Sequence, residues 1–249
     1  MTIMSKPVFL SRRYVIGNYV KLCRRTCQTR WLGTAGLKEI SQNVEEVVSQ
    51  PLLALAFARQ FSFHGMGRED VDVRMLATGR PFVVELRDCH RPMALTQQSL
   101  DLLYAPPPDD GSASVSVINA HTASKAERDE LVKASGTSRK TYRCVVWAAR
   151  VIENEDLQAL EKAFVNVELQ QFTPIRVLHR RVSAVSGTSH PCFSECSTCP
   201  APHAFFLILQ LRKRTVHWIK CSLVNSHWFI MDVCADGGTY IKEFVHGDR

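Results

Sequence analysis

Two stretches near the C-terminal end, "FFLILQLRKRTVHWIKCSL" and "HWFIMDVCADGGTYIKEFV", leave little freedom in local structure. Both are dense in β-branched and aromatic residues, which suit a pleated, half-buried surface, and the second is punctuated by a glycine pair. Together they predict a β-meander. "KTYRCVVWAARVI" (140–152) reads as a buried strand, "IRVLHRRVSAV" (175–185) as another and "PFVVEL" (81–86) as a short one. Helical patterns are fewer. Val44–Phe61 carries apolar residues at Val44, Val47, Val48, Leu52, Leu55 and Ala56, with Pro51 expected to break or restart the helix. Ser124 and Glu127 have capping-box spacing and open a helix to about Lys133. Leu157, Leu160 and Phe164, three and then four apart, mark one face of a short amphipathic helix with Asn154 as its N-cap. Strands dominate the second half and no repeat is evident. The expected fold is therefore α+β, with a mixed, mainly antiparallel sheet flanked by helices and loops, rather than a parallel α/β sheet.

At 249 residues the chain is long enough for one large domain or two small ones. "YAPPPDDGSASV" (104–115) cannot continue a helix, so the chain divides into subdomains of about 1–105 and 112–249 joined by a proline-rich linker. An apolar fraction of 45% permits a real core and argues against disorder. The nine cysteines are irregularly spaced, unlike a secreted disulfide framework, and no apolar run is long enough for a signal peptide or a membrane span. These features predict a soluble protein in a reducing, intracellular compartment, nuclear or cytoplasmic.

The net charge of +7 favours polyanionic partners, and its distribution is more informative than its size. Lys6, Arg12, Arg13, Lys21, Arg24, Arg25, Arg30 and Lys38 all precede the first acid, Glu39, with Tyr14, Tyr19 and Trp31 among them. Aromatics among cations suit base stacking with phosphate contact, and equally a solvated basic edge.

"FHGMGREDVDVRMLATGRPF" (63–82) holds three carboxylates, three arginines and three glycines in twenty residues. A carboxylate beside nucleic-acid phosphates needs surrounding cations, and Arg68, Arg74 and Arg80 are placed to neutralise phosphate or to hold an acid. The glycines would let a nucleic-acid backbone approach closely. A surface salt-bridge loop is the plainer alternative. In "GGTYIKEFVHGD" (237–248), Lys242 follows a tight turn and either pairs with an acid elsewhere or is simply exposed. Tyr142 shares a strand face with Cys144 and Val146, where it is either a core anchor or a ring that stacks on a base. His179, Arg180 and Arg181 end a predicted strand, as a phosphate clamp or a solvated tip.

The order "GREDVDVRML-TGRPF", "KTYR--VW", "TPIRVLHRR", "GTYIKEFVHGD" closely resembles the archaeal and eukaryotic tRNA pseudouridine synthases that modify the T-loop, the tenth Pus family. The opening "KPVFLSRRY…QTRW" is similar as well. The resemblance covers most of residues 6–182 and 204–249, and it implies a pseudouridine synthase catalytic domain. Gly67-Arg-Glu-Asp70 matches the superfamily's Gly-x-x-Asp loop, which assigns the catalytic acid to Asp70, with Asp72 its rival. The family's stacking tyrosine corresponds to Tyr142. Its basic residue, an arginine in the bacterial TruB-type "GTYIR", corresponds to Lys242. Arg68, Arg74, Arg80, His179, Arg180 and Arg181 become the RNA-contacting set.

The implied substrate is tRNA, and no metal, small-molecule cofactor, membrane or second subunit is called for. A truncated RNA-binding relic of the same fold is the alternative. Ala77 stands where the family usually carries glycine, and the family's N-terminal RNA-binding domain and C-terminal end are expected to be absent. "VSAVSGTSHPCFSECSTCPAPHAFF" (182–206) departs from the family pattern, with a Cys/His-rich insertion over 186–203. It holds His190, Cys192, Cys196, Cys199 and His203, a candidate zinc set, but crowding five donors into one loop favours a polar surface segment.

Overall fold

A computed structural model of the protein describes residues 11–30, 43–106, 114–136, 138–174 and 211–247. His179, Arg180, Arg181, the predicted strand 175–185 and the Cys/His insertion lie outside the described residues. The chain forms two compact units, Met1–Gly136 and Thr137–Arg249. The boundary therefore falls beyond the proline-rich stretch expected to be the linker. The cause is strand pairing: the strand that follows that stretch returns to the first sheet.

In the first unit, β1 (Ser11–Lys21), β2 (Gln60–Gly65), β3 (Met75–Cys89) and β4 (Val115–Ala123) form an antiparallel sheet in the order β2-β3-β1-β4. α1 (Val44–Ala56) buries Val44, Val48, Leu52 and Ala56, the i, i+4 stripe, and these join Val15, Tyr19, Phe82, Val84 and Leu86 of the sheet in one core. Pro51 lies inside this helix without ending it, contrary to expectation. Asn43 caps the helix by accepting from the Glu46 amide at 2.9 Å. α2 (Gln97–Leu103) adds Leu100 to the same core. On the opposite side Val83 packs with Tyr14 and Met66, and with Leu131 of α3 (Lys125–Ser135). Phe82–Leu86 is thus buried on both faces, which explains the unbroken apolar character of "FVV". The Ser124–Glu127 capping box forms as expected, with Ser124 N donating to Glu127 Oε2 at 2.7 Å and Glu127 N to Ser124 Oγ at 3.2 Å.

β3 has one marked irregularity. Tyr19 pairs with Arg80 and Lys21 with Met75, so Leu76–Gly79 bulge out opposite Val20. Gly79 has φ +72°, and a Cβ there would lie 2.5 Å from the Tyr19 carbonyl oxygen, so only glycine fits. Ala77 also adopts positive φ, +53°, in the left-handed region that glycine enters without a Cβ penalty.

In the second unit, β5 (Arg139–Trp147), β6 (Val167–Gln171), β7 (Arg212–Asn225) and β8 (Trp228–Asp236) form an antiparallel sheet in the order β5-β8-β7-β6. The β7–β8 hairpin is the expected meander, closed by Asn225 Oδ1, which accepts from the amides of His227 and Trp228 at 3.0 Å each. α4 (Asn154–Ala163) and α5 (Ile241–His246) supply Leu157, Leu160, Phe244 and Val245 to the core, and Phe164 meets Phe244 edge-on at 5.3 Å. Glu153, not Asn154, is the N-cap of α4, and its amide donates to Asp156 Oδ2 at 3.0 Å. β5 was expected to be buried; instead it is an edge strand whose residues alternate between exposed and half-buried. The expected α+β class holds, with one antiparallel sheet in each unit. No helix among the described residues is long and apolar enough to cross a membrane.

Candidate active site and its scaffold

The loop between β2 and β3, Met66–Arg74, holds Asp70, the expected catalytic acid, and its rival Asp72. Its charges sort by direction. Arg68, Asp72 and Arg74 are exposed, Asp70 is half-buried, and Glu69 and Arg80 point into the protein. Arg80 is only 5% exposed, its Nε lies 2.8 Å from Glu69 Oε2, and its Nη1 donates to the Met66 carbonyl at 3.0 Å. The Nε–carboxylate contact is an ion pair rather than a directed hydrogen bond. This placement corrects the expectation that Arg80 faces RNA phosphate: its charge is spent on Glu69, beneath the loop.

Glu69 is the hub of that buried cluster. It accepts from the Tyr19 hydroxyl at 2.7 and 2.9 Å, and the Lys21 ammonium stands 3.7 Å from Oε1. Burial, and next the Glu69 charge, push the Tyr19 hydroxyl well above its usual range, so it remains a donor. Burial lowers the Lys21 ammonium from its ordinary value, with the Glu69 charge acting against that shift.

The same cations and amides grip the loop by its backbone. Lys21 Nζ donates to the carbonyls of Thr26 (2.9 Å), Asp70 (3.1 Å) and Val71 (3.3 Å). Gln28 Nε2 donates to the Gly67 carbonyl at 2.8 Å and to the Tyr19 hydroxyl at 2.8 Å. Arg24 Nη1 reaches the Asp72 carbonyl at 2.7 Å. Five of the seven carbonyls from Met66 to Asp72, all but those of Arg68 and Glu69, are thereby fixed from β1, the segment after it, and β3. The backbone of Asp70 is held at its own carbonyl, and the residue is half-buried. Gly65 has a protein partner where a nucleic-acid contact was expected: a Cβ would come 2.5 Å from Gln28 Nε2, displacing the amide that holds Gly67.

Tyr19, Lys21 and Gln28 are structural anchors, although the first two belong to the run that the sequence placed on a basic, aromatic surface. Tyr19 and Lys21 are fully buried and Tyr14 nearly so, which removes them from any stacking surface. One sequence signal pointed the right way. Tyr19 and Lys21 alternate on one strand face, so a lysine falls where the period-2 pattern requires an inward residue.

The second unit carries Tyr142 and Lys242. Tyr142 is half-buried on β5 with Cys144 and Val146, on the face that packs against the core of the unit, as the alternation predicted. Lys242 is half-buried in the first turn of α5. The turn leading into that helix is tied at both ends. Thr239 donates to the Asp236 carbonyl from its amide (3.2 Å) and its hydroxyl (2.8 Å). Gln171 Nε2 donates to the Tyr240 carbonyl at 3.0 Å and Gln171 Oε1 accepts from the Tyr240 amide at 3.0 Å, a side chain pairing as a strand would. Asp236 accepts from Thr215 N and contacts His217 Nε2, both at 2.9 Å. Burial raises the Asp236 carboxyl, but the bonds from His217 and Thr215 outweigh it and hold the group below its usual range. Nothing in the sequence singled out Gln171, because its partner lies 69 residues away. Among the described residues, no group of three or more His, Cys, Asp or Glu side chains is set to hold a metal.

The human and Methanocaldococcus jannaschii proteins named tRNA pseudouridine synthase Pus10 are each 32% identical to this chain, over 235 and 246 residues respectively. Both alignments cover 94% of the chain, but only 39% of the human and 47% of the archaeal protein, so the chain spans less than half the length of these relatives. The chain is also similar to a solved chain of a Cbf5-Nop10-Gar1 complex, with a TM-score of 0.41 at 13% identity over 93% of this chain and 42% of that one. A family model described as Pus10, C-terminal matches residues 14–188 and 208–249, a span that takes in the Asp70 loop, Tyr142 and Lys242. With both units matched over nearly their whole length, the chain belongs to the Pus10, C-terminal family.

Proposed function

We propose that this chain is the catalytic part of a tRNA pseudouridine synthase, and that it isomerises a T-loop uridine. The observation that carries the reading is the Asp70 loop. Its backbone is fixed by buried Lys21, Gln28 and Arg80, with Asp70 half-buried and Arg68 and Arg74 exposed. A loop built in this way spends its ionic contacts on holding one short segment still, which is what a positioned acid requires. The name of the relatives, tRNA pseudouridine synthase Pus10, supports the reaction.

In that reaction the C1′–N1 bond of uridine breaks and a C1′–C5 bond forms. C5 then gives up its proton and N1 gains one, so the composition is unchanged and no oxidant or cofactor takes part. The target base leaves its stack to be reached. Asp70 is the nucleophile or base at the sugar, Tyr142 the platform for the extruded ring, and Lys242 the basic residue of the reaction. Arg68 and Arg74 contact phosphates.

The test is incubation of the chain with an unmodified tRNA transcript, with pseudouridine mapped by carbodiimide modification and primer extension. Asp70→Asn is expected to abolish product while leaving RNA affinity largely intact, and Asp72→Asn to retain activity. An Asp70→Asn variant that modifies RNA at the normal rate would overturn the assignment. RNA binding by the wild-type chain with no product would point instead to a non-catalytic RNA-binding protein of the same fold.

A further inference from the structure

A helix that ends in the left-handed region usually does so on glycine, which has no Cβ to strain. Helix α1 ends there on Phe57, at φ +46°. The cap bonds themselves are ordinary. The Phe57 amide donates to the Ala54 carbonyl at 3.2 Å and the Ala58 amide to the Leu53 carbonyl at 3.0 Å, contacts that glycine would make equally well. Burial does not offset the strain, because Phe57 is 61% exposed. A large apolar ring is thus held in an unfavourable backbone conformation and left in water, and neither feature serves the core.

The residues around the ring are basic and their backbone is fixed. Phe57, Arg59 and His90 border a depression of about 380 Å³, completed by Leu53, Ala54 and Ala58, with no acid in its lining. The His90 amide donates to the Phe57 carbonyl (3.2 Å), the Arg91 amide to the Ala56 carbonyl (2.9 Å) and the Arg59 amide to the Arg87 carbonyl (3.1 Å). The end of α1 and the open end of the β2–β3 hairpin therefore form one tied corner. The Arg91 guanidinium stands over the Phe57 ring at 5.6 Å, and the His90 ring meets it edge-on at 5.7 Å. Arg59, His90 and Arg91 are all exposed, and neither arginine has an ion pair or a side-chain hydrogen bond among the described residues. Arg87, by contrast, is paired with Glu85 at 2.8 Å.

We propose that this corner, Phe57 with Arg59, His90 and Arg91, is a contact site for tRNA, in which an unstacked base lies on the Phe57 ring and the arginines meet the phosphates beside it. The proposal rests on the reading of the chain as an RNA-modifying protein. Every base has a flat face that an exposed ring can stack against, and guanidinium groups beside the ring attract both base and phosphate. An acid-free depression bordered by arginines without carboxylate partners favours a polyanion over an apolar peptide. The corner lies at the other end of the β2–β3 hairpin from the Asp70 loop. β2 runs from Gln60, opposite Arg87, to Gly65, opposite Phe82, a span of about 17 Å at about 3.3 Å per residue. The site therefore acts on RNA affinity and not on the chemical step.

The experiment measures the affinity of the full chain for an unmodified tRNA transcript by fluorescence anisotropy across a series of KCl concentrations, together with KM and kcat for pseudouridine formation. Phe57→Gly is expected to weaken binding at least about fivefold, from the lost stacking, and to raise KM with kcat retained. Its thermal midpoint should be no lower than wild type, because the left-handed cap is relieved. Arg59→Gln and Arg91→Gln should each reduce the slope of log K against log salt by about 0.7–0.9. Arg150→Gln, whose guanidinium is committed to Asp156, should leave the slope unchanged. Wild-type affinity in a folded Phe57→Gly protein, or wild-type slopes in both arginine variants, would overturn the site and leave the depression to a protein partner. A fall in the thermal midpoint alongside the lost affinity would make Phe57 a packing residue and also overturn it. Should Phe57→Gly fail to fold, Arg59→Gln decides alone. The expected losses in a chain that binds RNA but forms no pseudouridine would uphold the site and overturn the isomerase reading. A wild-type chain with no affinity for RNA would overturn both.

Discussion

Replacing Glu69 by glutamine tests the buried cluster that holds the Asp70 loop. Glu69 is 7% exposed and is the carboxylate shared by two buried cations, Arg80 at 2.8 Å and Lys21 at 3.7 Å. The amide keeps the shape and one acceptor, so the Tyr19 hydroxyl can remain bonded. What disappears is the negative charge, which leaves two positive groups facing each other in a dry site. Breaking a buried pair by removing one partner costs about 3–5 kcal/mol, a large fraction of a typical domain stability of about 5–15 kcal/mol. With a urea slope of about 2 kcal/mol per M, the midpoint should fall by about 1.5–2.5 M, read by far-ultraviolet circular dichroism. The double variant Glu69→Gln/Lys21→Met should cost less than the sum of the two single variants, because the Lys21 bonds to the Thr26, Asp70 and Val71 carbonyls are lost in either background, whereas in the double variant the lysine removed is a stranded charge rather than half of a pair. A single-variant cost under about 1 kcal/mol would refute the claim that Glu69 neutralises these cations, because that is the range of an exposed pair.

Backbone strain gives two predictions of opposite sign. Ala77→Gly should stabilise the protein by about 0.5–1 kcal/mol, the left-handed penalty relieved less the added chain entropy, whereas Gly79→Ala should destabilise it by more than about 2 kcal/mol, since its Cβ would press on the Tyr19 carbonyl; both are read from thermal midpoints. The Asp156 carboxyl, bonded by Arg150 and by the Glu153 amide, should titrate at about 2 in a carboxyl NMR experiment. Because its folded value is depressed, the contribution of the pair to stability is complete above the ordinary carboxylate range and disappears as pH falls toward about 2; Arg150→Gln should return the titration toward the ordinary range. Gln171→Ala removes both bonds to Tyr240 and should slow product formation more than it weakens RNA binding, with Gln171→Glu, which keeps only the acceptor, recovering part of the rate.

Local features were legible in the sequence because their causes are local. The Ser124–Glu127 box, the Leu157–Leu160–Phe164 stripe and the β7–β8 hairpin each depend on residues within a few positions, and each appears where expected. Pro51 misled because α1 tolerates it, and the strip "KTYRCVVW" misled because apolar content does not tell an edge strand from a central one. Position 70 could be marked by its Gly-x-x-Asp spacing, but its support could not. Lys21 and Asp70 are 49 residues apart, and a lysine in a basic run looks the same whether it meets water or a cage of carbonyls. Arg80 was misassigned because an arginine in a charged stretch looks the same whether it turns outward to solvent or inward to a buried Glu69.

The grip on the 66–74 segment comes from its inner side, through main-chain oxygens and the Glu69 carboxylate. Peptide oxygens are the same for every amino acid, so the anchors that hold them do not register which side chains the segment displays. Those five bonds would persist whatever residues stood at positions 68, 72 and 74. Diversification of what this loop meets is in this way uncoupled from the rigidity that keeps residue 70 in place.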